Sequence, residues 1–375
     1  MRLGRTIDGR DISLPVEIGG SIDERYEIER IIGEGLTSVV YAARRRGLGQ
    51  RVALKFLVRE SVQRGEALEK FRREALAAAD FDSEYACRVL DVRMLDNGVP
   101  YLVMEYLEGC NLATELGSRT RLPPMEALRY VLEACEPISE AHAAGVVHRD
   151  LKLENLFLIS RADGSRHVKV MDFGVPNVLI DSDASSRSLP MSLRALSSLA
   201  YKAPEQLDLA RDIDARVDVW SLGVVLYELL TGSRPFGGAS IAALVQAVLH
   251  EAPSPFFAAS VIAPDGLEGV LHKALSKSRD ERYASIAEFA AALAPFAPQE
   301  LMEGLQIGSA RSPAPGSVTI ELDESAFEPV AEPAAEHKGR KRLYASLAIC
   351  ALLAVGLALL WRPAPHPASP PMAAA

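Results

Sequence analysis

The sequence predicts an α+β body in two lobes, a small β-rich front lobe and a larger helical back lobe, followed by a linker and one apolar span. Three observations predict it. At 375 residues the chain exceeds the roughly 250–300 residues that a single hydrophobic core usually serves. Its front third reads as short β-type runs broken by glycine turns, whereas the stretches from Asn111 to Gly145 and from Asp218 to Gly232 read as helices. Finally, Leu343 to Trp361 carries no charged side chain over a length suited to a bilayer.

Residues 1–20 alternate charge, glycine and single apolar side chains without a sustained period, and read as an extended or disordered leader. From Tyr26, YEIERIIGEGLTSVVYAARRR reads as strand, glycine-containing turn and strand, and RVALKFL from Arg51 as a third strand, giving an antiparallel meander. Gly33 and Gly35 in the turn let the backbone approach a phosphate without obstruction. Lys55 closes an apolar β-type run, where a charged side chain calls for an arriving partner. Glu74 follows 19 positions later on FRREALAAA, a strong helix former. PYLVMEYLEG reads as a buried strand that joins the two lobes.

In the back lobe, Pro123 and Pro124 mark the start of a second helix. It leads into HRDLKLENLF, residues 148–157. There Asp150, Lys152 and Asn155 supply, in order, a carboxylate to orient a hydroxyl, a cation to spread charge and an oxygen ligand for a divalent metal, the parts that phosphoryl transfer requires. LFLIS and HVKVM flank Ala162-Asp163-Gly164, a tight-turn signal, so a hairpin delivers Asp172-Phe173-Gly174. A carboxylate at the end of an apolar strand is costly unless a cation is expected there. A serine-rich run follows, with Ser185, Ser186, Ser188, Ser192 and Ser197 as candidate phosphate acceptors, and ends in Ala203-Pro204-Glu205. Asp218 opens DVWSLGVVLYELLTG, apolar almost all round and therefore a buried helix.

Beyond Phe296, proline, alanine, serine and glutamate dominate and no period survives, which reads as a linker. A basic cluster, Lys338, Arg340, Lys341 and Arg342, precedes Leu343–Trp361, which as a helix would cover roughly 28 Å, close to a bilayer core. Lone Arg362 after the span sets the expected orientation, with the folded body in the cytoplasm and only a short proline- and alanine-rich tail outside. Input to the body is then expected through a partner, the linker or association with a second copy in the membrane. The formal net charge of −9 argues against a nucleic-acid partner. Cys87, Cys110, Cys135 and Cys350 are widely spaced, which argues against zinc and a disulfide framework and fits a reducing compartment. MRLGRTIDGRDIS lacks the apolar core of a signal peptide, so the body is expected to stay where it is made.

The motifs, in this order and spacing, resemble the eukaryotic-type (Hanks-type) protein kinases, whose catalytic loop in the Ser/Thr branch reads H-R-D-x-K-x-x-N, and in particular the bacterial membrane-anchored Ser/Thr kinases. The resemblance covers residues 21–296. It implies the two-lobed protein-kinase fold, with a leader over 1–20, a front lobe over 21–108, a back lobe over 109–298, a disordered juxtamembrane linker over 299–342, a transmembrane helix over 343–361 and a tail over 362–375. It also implies transfer of the γ-phosphate of ATP, with Mg²⁺ or Mn²⁺, to protein Ser and Thr hydroxyls, autophosphorylation included. Asp150 would orient the hydroxyl, Lys152 steady the transferring phosphate, and Asn155 and Asp172 hold the metal. Ile32, Gly33, Gly35, Val40, Ala53, Lys55, Glu74 and the backbones of Glu105 and Leu107 would bind ATP, with Met104 as gatekeeper of the adenine pocket. Arg149 marks the class in which a phosphate on the serine-rich segment pairs with a cation. Ser198 would contact Asp150 and Lys152, Asp218 would tie down the catalytic loop, and Arg282 would pair with Glu205.

Three departures stand out: Ser38 replaces the third glycine of G-x-G-x-x-G-x-V, Ser197-Ser198 replaces Gly-Thr, and DFDSEYACRVLDV lacks a His-Pro-Asn turn. A catalytically inactive scaffold of the same fold is the alternative these leave open. A dinucleotide-binding enzyme is disfavoured, because its glycine turn must open a helix and this one joins two strands.

Overall fold

The computed structural model describes residues 4–7, 10–13, 16–34, 38–57, 83–96, 99–173, 198–208, 212–256 and 263–308. Contacts divide the chain into Met1–Phe327 and Glu328–Ala375, and every described residue belongs to the first unit.

Period-two alternation builds the front lobe. In β4 (Tyr26–Glu34), Tyr26 and Ile28 are buried and Glu27 is exposed. This strand lies in a six-stranded antiparallel sheet with β3 (Ser21–Ile22), β5 (Ser38–Arg45), β6 (Arg51–Leu57), β7 (Val89–Met94) and β8 (Pro100–Glu105), in the order β3-β4-β5-β6-β8-β7. In β6, alternation sends Val52, Leu54 and Phe56 into one cluster, where Phe56 stacks on Tyr101 with ring centroids 4.9 Å apart. It sends Ala53 and Lys55 to the other face. The register sets Lys55 opposite Val40 of β5 and Leu102 of β8.

The back lobe carries a three-stranded sheet, β9 (Gly109–Asn111), β10 (Leu156–Ser160) and β11 (Arg166–Val170), in the order β11-β10-β9. The expected turn at Ala162-Asp163-Gly164 joins β10 to β11: Gly164 has φ 83° and donates to Arg161 O at 3.0 Å. The helices are α1 (Leu112–Arg119), capped by Asn111, α2 (Pro124–Ala143), α3 (Pro204–Leu207), α4 (Arg216–Thr231), α5 (Ile241–His250), α6 (Leu267–Ala274), α7 (Ile286–Leu293) and α8 (Gln299–Gly304). α2 starts at the predicted proline pair. Every residue of α4 from Val217 to Thr231 is buried, as its almost wholly apolar text predicts. It stops at Gly232, φ 78°, where a Cβ would meet Thr120 O at 2.2 Å.

Two expectations need correction. The leader, expected to be extended or disordered, is extended over β1 (Gly4–Ile7) and β2 (Arg10–Ser13), and their pairing into a hairpin escapes the sequence reading because two four-residue strands are too short to show a sustained period in the text. Residues Gln299–Gly304, expected to open the linker, instead form α8, and Leu301, Met302, Leu305 and Ile307 pack against the back-lobe core. Their apolar spacing is short but falls on one helical face and the residues just after it. Among the described residues no helix is long and apolar enough to cross a membrane. The span expected over Leu343–Trp361 and the tail over 362–375 lie outside the described residues, as do linker residues 309–342.

Candidate active site

The site begins with a buried carboxylate. Asp218, in the first turn of α4, is fully buried and accepts three hydrogen bonds: from Arg149 N at 2.8 Å on Oδ1, and from His148 N at 2.8 Å and His142 Nε2 at 2.7 Å on Oδ2. Burial opposes its ionisation, but the His142 hydrogen bond and the loop amides hold it below the usual carboxylate range. Asp218 thereby fixes the loop that carries Asp150. Arg149 takes φ 64°, a left-handed conformation that a long side chain adopts only when its surroundings compel it. Its side chain is exposed and has no ion-pair partner among the described residues.

Asp150 is held from both sides. Lys152 Nζ reaches Oδ2 at 2.8 Å, while Lys202 Nζ at 2.7 Å and Ser198 Oγ at 3.1 Å reach Oδ1. Burial works against the charge, yet the Lys202 and Lys152 ammoniums keep this carboxyl far below its ordinary range. Asn155 Nδ2 donates to Asp150 O at 2.8 Å, which fixes the carboxamide and leaves its oxygen for another partner. Asn155 O accepts from Met171 N at 2.9 Å, so the residue before Asp172 is joined to the loop. Phe173 packs into the back-lobe core beside His148, ring centroids 5.3 Å apart, and Asp172, φ 62°, pairs with Lys55 at 2.6 Å. Lys55 is 4% exposed while Asp172 is partly open to solvent, so this ion pair joins a buried cation of the front lobe to a carboxylate at the edge of the cleft.

Beside it an apolar floor assembles from Val40, Ala53, Met104 and Leu107 with Cys87 and Met171. Four residues predicted for the adenine pocket thus come together. The Glu105 side chain is occupied elsewhere, accepting from Arg88 N at 2.8 Å and Lys169 Nζ at 2.7 Å. Its N–H donates to Arg88 O, so what Glu105 offers a ligand is its carbonyl. Ile32 sits at an irregularity of β4 and is 39% exposed, outside that cluster. Gly33 faces Val40, where a Cβ would make only ordinary contact at 3.5 Å; packing does not demand the glycine. Gly35, Glu74 and the candidate serines between Ser185 and Ser197 lie outside the described residues.

A family model of the protein kinase domain matches residues 26–288. The chain belongs to the protein kinase family. It is 33% identical over 351 residues to serine/threonine-protein kinase PknB of Mycolicibacterium smegmatis, covering 89% of this chain and 54% of that protein. It is 32% identical over 339 residues to serine/threonine-protein kinase Pkn1 of Myxococcus xanthus, covering 90% of this chain and 46% of that one. The chain spans about half the length of the curated relatives it matches. Among solved structures, the kinase domain of Mycobacterium tuberculosis PknI, as a double mutant, aligns with a TM-score of 0.59 at 25% identity over 75% of this chain and 99% of that one.

In this kinase fold, the donor set fits a divalent metal shared with phosphates. Asn155 and Asp172 are hard oxygen donors, and among the described residues no group of three or more His, Cys, Asp or Glu forms a metal cage. An ion that keeps ligands on phosphate and water needs no such cage. Glu205 and Arg282, predicted as a structural pair, form a bidentate bridge at 2.7 and 2.8 Å, with the Arg282 guanidinium stacked 5.0 Å from the Trp220 ring. Sequence reasoning missed His142 and Lys202. His142 and Lys202 are ordinary polar letters in the text, and only the fold brings them onto Asp218 and Asp150.

Proposed function

We propose that this chain transfers the γ-phosphoryl group of ATP, with Mg²⁺ or Mn²⁺, to Ser and Thr hydroxyls of proteins, its own included. The observation that carries this reading is the Asp150 carboxylate, ionised and held by Lys152 while Lys55 and Asp172 meet across the cleft. The acceptor hydroxyl gives its proton to Asp150 as its oxygen attacks phosphorus, and ADP leaves. Lys152 neutralises charge on the moving phosphoryl group, and Lys55 orients the phosphates. The metal, held by Asn155 and Asp172, would neutralise charge between the phosphates. Val40, Ala53, Met104 and Leu107 exclude water from the base.

We further propose that Leu343–Trp361 anchors the kinase in the cytoplasmic membrane with its folded body on the cytoplasmic side, and that the span offers a surface for a second copy. The basic cluster before the span supports that orientation.

The test incubates the detergent-solubilised chain with radiolabelled ATP and Mg²⁺, beside Asp172→Ala, followed by phosphoamino-acid analysis. Label on Ser or Thr that disappears in Asp172→Ala is the expected result. No label with any protein substrate would leave a catalytically inactive scaffold of the same fold. Deleting Leu343–Ala375 should release active protein from membranes, and retention there would refute the anchor.

A further inference from the structure

Lys202 immediately precedes Ala203-Pro204-Glu205, and its side chain turns into the catalytic loop, with the residue only 4% exposed. A lysine is rarely buried unless its ammonium finds partners. This one has two: Arg149 O at 2.7 Å and Asp150 Oδ1 at 2.7 Å. Among the described residues it alone bonds both the carbonyl of left-handed Arg149 and the carboxylate of Asp150. Gln206 Nε2 also donates to Arg149 O, at 3.0 Å, but does not touch Asp150.

The last torsion of an aspartate is broad and roughly two-fold, so a cation on one oxygen leaves the carboxylate free to swing. Lys152 on Oδ2 and Lys202 on Oδ1, approaching from different parts of the chain, fix its plane. The second ammonium does a further thing: two positive charges against one carboxylate leave the locale net positive where a phosphoryl group must arrive. Ser198, the other partner of Oδ1, is neutral and lies farther away at 3.1 Å.

We propose that Lys202 is a positioning residue for phosphoryl transfer, bridging the Arg149 carbonyl to Asp150 so that the carboxylate meets the acceptor hydroxyl in one orientation. The proposal rests on the phosphotransferase reading above. Its test measures kcat, and KM for ATP and a Ser/Thr peptide, on the full chain in detergent for wild type, Lys202→Met, Gln206→Ala, Asp150→Asn and the double variant Asp150→Asn/Lys202→Met. Lys202→Met should lower kcat about 10- to 100-fold, the scale of a misplaced reacting group, with KM for ATP within about twofold. Because Lys202 acts through Asp150, the double variant should be no slower than Asp150→Asn alone. Gln206→Ala, which removes the bond to Arg149 O and the acceptor of Ala203 N but no contact with Asp150, should keep kcat within about threefold of wild type.

Wild-type kcat in Lys202→Met would overturn the proposal. So would an equal further loss in the Asp150→Asn background, or a Gln206→Ala loss matching that of Lys202→Met, since each places the effect outside the carboxylate. Lys202→Gln, which keeps a neutral donor, answers the same questions where methionine does not fold. Absence of transfer in wild type would instead sink the phosphotransferase reading itself, which separates the two failures.

Discussion

Replacing Asp218 with asparagine tests how the catalytic loop is held. The carboxylate serves three donors, and an asparagine has one oxygen. Its best orientation puts that oxygen where Oδ2 receives His142 and His148 N, and sets its NH₂ against Arg149 N–H. One backbone donor is then stranded in a fully buried place, costing about 1–3 kcal/mol, and two bonds lose their charge assistance at about 1 kcal/mol each. The loss should be about 3–5 kcal/mol, a large part of the roughly 5–15 kcal/mol that holds a typical domain together. The stranded amide belongs to Arg149, whose left-handed turn aims Asp150, so kcat should also fall about 10- to 100-fold. Urea unfolding at neutral pH and steady-state assays read the two effects. The acid side adds a sign. Asp218 is held below the ordinary range, so near and below the unfolded-chain pKa the native state binds fewer protons than the unfolded chain, and its contribution vanishes as pH falls through the native value. The asparagine variant should lack that dependence. A stability loss under about 1 kcal/mol with kcat within twofold of wild type would show that Asp218 merely starts a helix.

Asp150→Asn should lower kcat by about 10² to 10⁴ while the protein still binds ATP, and near-normal turnover would remove it from the proton-accepting role. Arg282→Met leaves Glu205 without its bidentate partner in a largely buried place and should cost about 3–5 kcal/mol by thermal or urea unfolding. Adding Glu205→Gln should cost less than the two single losses summed, and strict additivity would mean the pair does not interact. Glu133 is fully buried, its carboxyl pushed up to about 7 by burial although Val168 N donates to it. Between the unfolded-chain value and about 7 the native state holds the extra proton, so stability should fall as pH rises through that window. Glu133→Gln can accept from Val168 N and donate to His167 Nδ1, so it should flatten that slope and gain stability at pH 8; an unchanged slope in denaturation midpoints between pH 5 and 8 would rule out Glu133 as its source.

What was legible in the text follows from how far each signal reaches along the chain. Lys55, Asp150, Asn155 and Asp172 sit in short motifs whose spacing sets their geometry, and the structure brings Lys55 onto Asp172 and Asn155 onto Asp150. The almost wholly apolar run after Asp218 reads as a buried helix, and it is one. The Arg282 and Glu205 pair spans 77 residues and was readable only through family resemblance, since nothing local marks either partner. His142 lies at the end of α2 as one more polar residue among several, and its bond to Asp218 depends on how α2 crosses α4. The hairpin at Gly4–Ser13 and helix Gln299–Gly304 escaped for the opposite reason: each is too short for its period to stand out from composition.

Arg149 shows why those unreadable contacts matter. A non-glycine residue in the left-handed region costs on the order of 1–3 kcal/mol, and a loop alone would relax it. Here α4 takes its N–H through Asp218, while the stretch from Ser198 to Gln206 takes its C=O through the Lys202 ammonium. Two charge-assisted bonds at about 1.5–3 kcal/mol each are enough to offset the strain, whereas the Asp218 bond alone only about balances it. Asp150 is therefore aimed fully only when the stretch that carries Lys202 is docked. That stretch also supplies Glu205, anchored by Arg282 at the far side of the lobe. The loss of the Glu205 bridge should therefore reach the active site as well as the fold, lowering kcat in Glu205→Gln at temperatures where the protein remains fully folded. A folded Glu205→Gln with unchanged kcat would show that Lys202 stays docked without the bridge.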